Sequence, residues 1–131
     1  ENIEPFTLVL FQNNALFQLR WNGREKRKTP LNIHQNHIWS SSTLYSSSIR
    51  EKRAEWFHTF MDTNPEISES KMHNFHRYTE EGNDENGLVI NRNDEMKTLS
   101  ITQAVIEKNK VAILHYDLIS QQDFSTSFIT A

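Results

Sequence analysis

The stretch Pro5-Phe6-Thr7-Leu8-Val9-Leu10-Phe11-Gln12-Asn13-Asn14-Ala15-Leu16-Phe17-Gln18-Leu19-Arg20-Trp21 decides the fold class. An apolar run of strand length meets a turn-forming Asn pair, which is the pattern of a β-hairpin. After the turn, Ala15, Phe17, Leu19 and Trp21 fall on one face while Leu16, Gln18 and Arg20 fall on the other, the period-two pattern of a half-buried strand. Asn22-Gly23 ends it with the strongest short hairpin signal in the chain. Arg24 to Lys28 then reads as a polar edge strand whose charges discourage sheet-to-sheet pairing, closed by Pro30.

Downstream, His37-Ile38-Trp39 reads as a short strand running into the serine-rich connection Ser40 to Ser48. A helix is predicted over 48–62: Ser48 and Glu51 form a capping box, and Ile49, Arg53, Trp56, Phe57, Phe60 and Met61 recur at three- and four-residue spacings. A second is predicted over 65–78, with Pro65 in its first turn and Ile67, Met72, Phe75 and Tyr78 inward. The loop Gly82 to Gly87 leads through Leu88-Val89-Ile90 to two further strands, Thr98 to Val105 and Val111 to Tyr116, joined by a turn over 107–110. Ser120 to Ala131 shows no usable periodicity and reads as an irregular tail, leaving residues 1–119 as one domain. The order predicts an α+β fold, with helices covering one face of an antiparallel sheet.

Bulk properties bound the function. A chain of 131 residues buries roughly two thirds of its unfolded surface, enough for one core. A net charge of -3 gives neither nucleic acid nor an anionic membrane the positive field it needs, the run Arg24, Lys26, Arg27, Lys28 being the local exception. With no cysteine there is no disulfide, thiolate metal site or thiol nucleophile within these residues. No apolar run reaches the roughly 20 residues of a membrane helix, so the chain reads as cytoplasmic. Its start at Glu1, almost directly before the apolar run, reads as the cut edge of a longer polypeptide.

His37-Ile38-Trp39-Ser40-Ser41-Ser42-Thr43-Leu44-Tyr45-Ser46, Arg50 to Phe57, Asn86 to Arg92 and Lys97 to Gln103 together resemble the carboxy-terminal half of the NRDE-domain family, which includes the transport and Golgi organization protein two group. The resemblance spans about residues 6–118 and is nearest to bacterial members. It implies half of an αββα sandwich similar to that of amino-terminal-nucleophile hydrolases, which act on linear amides. The family's nucleophile-like cysteine and its Asn-Arg-Asp-Glu motif lie outside this chain, and Asn91-Arg92-Asn93-Asp94 only echoes those letters. These residues would then supply one wall of a pocket, completed by the missing amino-terminal half or by a self-partner. Such hydrolysis needs donors for a developing oxyanion. Related amidases place an asparagine there; aligned by Trp39 and Leu44, Ser41 holds that position, with Trp39, Ser40, Ser42 and Tyr45 as pocket neighbours. Serine in place of asparagine is a departure that bears on ordinary amide hydrolysis.

Plainer readings stand beside these. Serine is favoured in caps and turns, so Ser40 to Ser42 need no ligand. His34 with His37, and His73 with His76, lack a convincing third ligand, so neither a metal nor any other cofactor is required. Some NRDE-like members point towards haem handling, which makes a binding or trafficking module, testable at His73 and His76, one alternative to an enzyme; a structural domain without a ligand is the other. A triad from Ser41, His37 or His115, and Asp117 has no nucleophile-elbow sequence behind it. Trp39, Trp56 and Phe57 are read as core aromatics.

Overall fold

The computed structural model describes residues 3–130. Among them the chain runs β1 (Phe6–Gln12), β2 (Ala15–Trp21), β3 (Lys26–Leu31), α1 (Ser47–Thr63), α2 (Glu69–Tyr78), β4 (Asn91–Arg92), β5 (Met96–Lys97), β6 (Ser100–Glu107), β7 (Lys110–Asp117) and β8 (Gln122–Ile129). The strands form three antiparallel sheets, β1-β2-β3, β4-β5 and β6-β7-β8, and with the two helices they make an α+β fold. Two compact units divide at Glu1–Trp39 and Ser40–Ala131.

The first unit is the predicted meander. Asn13 and Asn14 both take left-handed backbone, φ 50° and 56°, which turns the chain in two residues and sets Gln12 opposite Ala15. From that register Leu10 faces Phe17, Leu8 faces Leu19 and Phe6 faces Trp21. At the next corner the Asn22 side-chain oxygen accepts from the backbone N–H of Arg24 and of Glu25, and Gly23 supplies φ 91°. β3 continues through Pro30 to Leu31 rather than closing before it. Pro30 is tolerated because β3 is an edge strand. Lys28 Nζ lies 4.0 Å from the centroid of the Phe17 ring, so its stem covers apolar surface while its charge sits over the π face.

His37 to Trp39 is not a strand. No neighbouring edge takes its backbone; instead His37 Nε2 bonds the Asn32 carbonyl at 2.8 Å and the Trp39 ring stacks on His37 at 5.7 Å. Trp39 is 42% exposed, which corrects its reading as a core aromatic.

In the second unit α1 begins one residue before the predicted position, and its cap is Ser46, whose Oγ accepts from Ile49 N–H. Three consecutive serines are equivalent caps by type, and sequence spacing to Glu51 selected the wrong one. α2 begins at Glu69 rather than near Pro65, because Ser68 caps it through Lys71 N–H. The helices meet through Phe75, whose ring lies 4.7 Å from Phe60 and 5.8 Å from Phe57. Phe57, Phe75 and Ile90 are the buried apolar side chains among the described residues. α2 also packs on β6, where Gln103 Nε2 donates to the Glu69 carbonyl.

The predicted irregular tail is instead β8, paired along its whole length with β7 from Asp117 opposite Gln122 to Lys110 opposite Ile129. Every residue of β8 is exposed, so the strand is held by the β7 backbone ladder and cross-strand pairs rather than by burial. Periodicity arguments look for burial and pass over such a strand.

The cap assignment has a direct test. Ser46→Ala should lower stability by about 1 kcal/mol in urea denaturation, while Ser48→Ala should change it by only a few tenths. A larger loss at Ser48 than at Ser46 would restore the capping box.

Candidate functional site

The residues singled out as a pocket fall on both sides of the unit boundary: Trp39 closes the first unit, and Ser40, Ser41, Ser42 and Tyr45 open the second. Within the second unit the serine segment is a tight turn. Ser41 Oγ accepts from Leu44 N–H at 3.2 Å and lies 3.0 Å from Thr43 Oγ1. A hydroxyl oxygen that accepts a backbone N–H still has its own hydrogen to donate. Ser41 therefore sits at a fixed place with one donor available, either to Thr43 or outward. Ser40 is half-buried and Ser42 is exposed.

Tyr45 is the anchor of this turn. The Arg53 guanidinium carbon lies 4.1 Å from the Tyr45 ring centroid and that of Arg92 lies 5.4 Å from it. Each arginine also binds backbone. Arg53 Nη1 donates to the Gly87 carbonyl at 3.1 Å. Arg92 donates from Nε and Nη2 to the Glu85 carbonyl at 3.0 and 2.7 Å, and from Nη2 to the Leu44 carbonyl at 3.4 Å. Its ion pair with the Glu85 carboxylate, at 3.5 Å, adds little at so exposed an acid. α1, the 82–87 loop and the β4 hairpin are thereby clasped to the serine turn.

Gly87 makes the clasp possible. A Cβ there would come within 2.7 Å of the Asn83 carbonyl oxygen and 2.8 Å of the Glu80 carbonyl oxygen. The Gly87 N–H donates to that same Asn83 oxygen at 2.8 Å, so the loop folds onto itself before presenting its carbonyl to Arg53. Sequence reasoning placed Arg53 on the inward stripe of α1 but gave it no role, and it gave none to Arg92. The available signal was a cation on an otherwise apolar helix face, which demands a partner.

A second polar cluster lies between α2 and β7. The His73 ring centroid is 3.8 Å from that of Tyr116. Among the described residues Arg53 Nε, His73 Nδ1 and Gln103 Oε1 are shielded from solvent without a hydrogen-bond partner. Burial, and then the positive fields of Arg53 and His73, hold the His76 imidazole below its ordinary value of 6.5. No group of three or more His, Cys, Asp or Glu side chains converges as a metal site among the described residues.

The triad residues are each engaged elsewhere. His115 Nδ1 bonds Thr102 Oγ1 at 2.8 Å. Asp117 Oδ1 accepts from the backbone of Ile119 and Ser120 at 2.8 and 2.9 Å. The Ser120 N–H and then the Ile119 N–H hold that carboxyl below its usual range. It serves the β7–β8 turn.

No protein-family model matches the chain, and neither a curated protein nor a solved structure matches it. No helix among the described residues is long and apolar enough to cross a membrane.

Gly87→Ala should cost more than the ordinary surface substitution, on the order of 1 to 3 kcal/mol, because backbone must move to admit the methyl group. Hydrogen exchange should show the loss concentrated in the 82–92 segment; uniform loss across the chain would refute the clasp. The His76 shift sets a pH window. Above about 6.5 the ring is neutral in both folded and unfolded chains and contributes nothing. As pH falls below that value the unfolded chain takes the proton first, so stability declines until the folded pKa is passed. A urea midpoint that drops between neutral pH and pH 5, with a smaller drop in His76→Gln, is the expected result.

Proposed function

We propose that this chain is the carboxy-terminal portion of an NRDE-like protein related in architecture to amino-terminal-nucleophile hydrolases. In this reading it contributes one wall of a pocket for hydrolysis of linear amides. The nucleophile comes from outside the chain, on the amino-terminal half of the same protein, and the setting is cytoplasmic. The observation that carries the reading is the held position of Ser41. Its oxygen is fixed by Leu44 N–H, and its turn is locked by Tyr45 under two guanidinium groups.

That fixity answers the physical objection to serine as an oxyanion donor. A short hydroxyl on a mobile loop must be ordered as charge develops, whereas a preorganised donor requires no reorganisation at that moment. The attacking group adds to the amide carbon, the carbonyl oxygen takes up negative charge, and the Ser41 hydroxyl donates its hydrogen to it. Collapse of the tetrahedral centre expels the amine, which takes a proton from the group that first accepted the nucleophile's; water then adds to the acylated nucleophile, giving its proton to the same group, and the carboxylic acid leaves as the nucleophile regains that proton. Ser40, Ser42 and Tyr45 line the wall around this donor.

A non-enzymatic binding module is the second reading, and the unpartnered His73 Nδ1 favours it. Haem is the ligand to test; His73 Nδ1 is shielded from solvent beside the Tyr116 ring, so ligation there requires that contact to open.

The two readings separate by mutation. In the complete protein, Ser41→Ala should reduce kcat for a linear amide by roughly 100-fold with KM little changed. Ser41→Asn, which can both accept from Leu44 N–H and donate outward, should recover most of it. Undiminished kcat in Ser41→Ala would remove the oxyanion role. A Soret shift on adding haem that is lost in His73→Ala would favour the binding module instead.

A further inference from the structure

The two edges of the β1-β2-β3 sheet are built differently. β3 carries Lys26, Arg27, Lys28 and Pro30, the charges and the missing N–H by which sheets discourage further pairing. β1, Phe6-Thr7-Leu8-Val9-Leu10-Phe11-Gln12, has no charge and no proline, and all of it is exposed. Leu8 is 50% exposed, Phe6 48% and Phe11 45%. A long, uncharged, apolar edge is a pairing template.

The hairpin register states which backbone groups that edge offers. A two-residue turn of this left-handed type closes on a hydrogen-bonded pair, here Gln12 and Ala15. Hydrogen-bonded and non-bonded pairs alternate along an antiparallel ladder. Leu10, Leu8 and Phe6 therefore bond inward to β2, and the N–H and C=O groups of Thr7, Val9 and Phe11 point outward from what is, among the described residues, an end strand of its sheet.

We infer that a second copy of this chain occupies the edge, its β1 antiparallel to the first about a two-fold axis through Val9. That register sets Val9 against Val9 and Thr7 against Phe11 as hydrogen-bonded pairs. Every outward group from 7 to 11 is then satisfied, with roughly six hydrogen bonds across the axis. The side chains agree with the backbone. Opposite residues share a face, so Leu8 meets Leu10 and Phe6 meets Gln12. No like charges are opposed, and the apolar face formed by Phe6, Leu8 and Leu10 with Phe17, Leu19 and Trp21 becomes continuous across two copies. An isologous contact requires a surface complementary to itself, and an uncharged strand read about its own centre satisfies that requirement. The β8 edge fits less well, since Asp123 near its start and the run Ser125-Thr126-Ser127 offer less apolar surface. The inference does not depend on the amide-hydrolysis reading.

The geometry selects an unusual test. Proline at position 9 removes an N–H that β2 does not use, so Val9→Pro keeps the hairpin while deleting the two central bonds of the dimer. The 131-residue chain should sediment as a dimer at micromolar concentration. Val9→Pro should be monomeric, or weakened at least about tenfold, with an unchanged far-ultraviolet circular dichroism spectrum. Should Val9→Pro perturb folding, Val9→Lys opposes two like charges at the axis while leaving the backbone intact, and it should give the same monomer. Because the chain has no cysteine, Val9→Cys supplies a single probe that should cross-link to itself under oxidation, whereas Arg27→Cys on β3 should not. A monomeric parent chain overturns the inference, as does a dimer that survives both Val9 substitutions. Cross-linking through position 27 instead of position 9 would equally overturn it.

Discussion

The second unit depends on the contact of Phe75 with Phe57 and Phe60. Two helices of unequal length, capped independently by Ser46 and Ser68, are joined where these rings meet at 5.8 and 4.7 Å. Burial of Phe57 and of Phe75 contributes about 1.5 to 3 kcal/mol each, with Phe60 half-buried beside them, and few other side chains are comparably buried. Everything placed by α1 and α2 inherits its position from that junction: Arg53 over Tyr45, His73 against Tyr116, Gln103 under the start of α2. The polar clasp follows this apolar contact. A guanidinium can hold a loop carbonyl only if the helix carrying it is already fixed.

The sparse buried core also explains why so much of the chain is organised by hydrogen bonds at corners. Asn22, Asn32, Ser41, Asn83, Asn91 and Asp117 each accept from backbone N–H groups two or three residues ahead. These residues specify turns without burial. They give the loops definite shapes, and through Ser41 and Asn83 they shape the site itself.

The sequence made the local elements legible wherever burial or turn chemistry left a periodic mark. The β1–β2 and β6–β7 hairpins were readable from apolar runs of strand length on either side of turn residues, and both helices from three-four spacing of their apolar residues. β8 was not readable: its pairing energy lies in the partner strand, and Phe124, Thr126 and Phe128 alternate with serines too faintly to mark a face. His37 to Trp39 misled in the opposite direction, being β-prone by composition but without an edge to join. At the site, Ser41 and Tyr45 were accessible as a turn segment. The clasp was not, because Arg92 lies 48 residues from the Leu44 carbonyl and Arg53 lies 34 residues from Gly87. Local pattern carries no information about closures of that span.

The unlike edges of the first sheet set a limit on growth. A strand array that accepts neighbours on both sides has no natural length, and its end state is a fibre. One that accepts a neighbour on a single side is exhausted after one addition, since joining two copies leaves only lysine- and arginine-bearing strands outermost. The cluster Lys26-Arg27-Lys28 thus acts as a terminator, making a finite object out of a sheet whose other margin is adhesive.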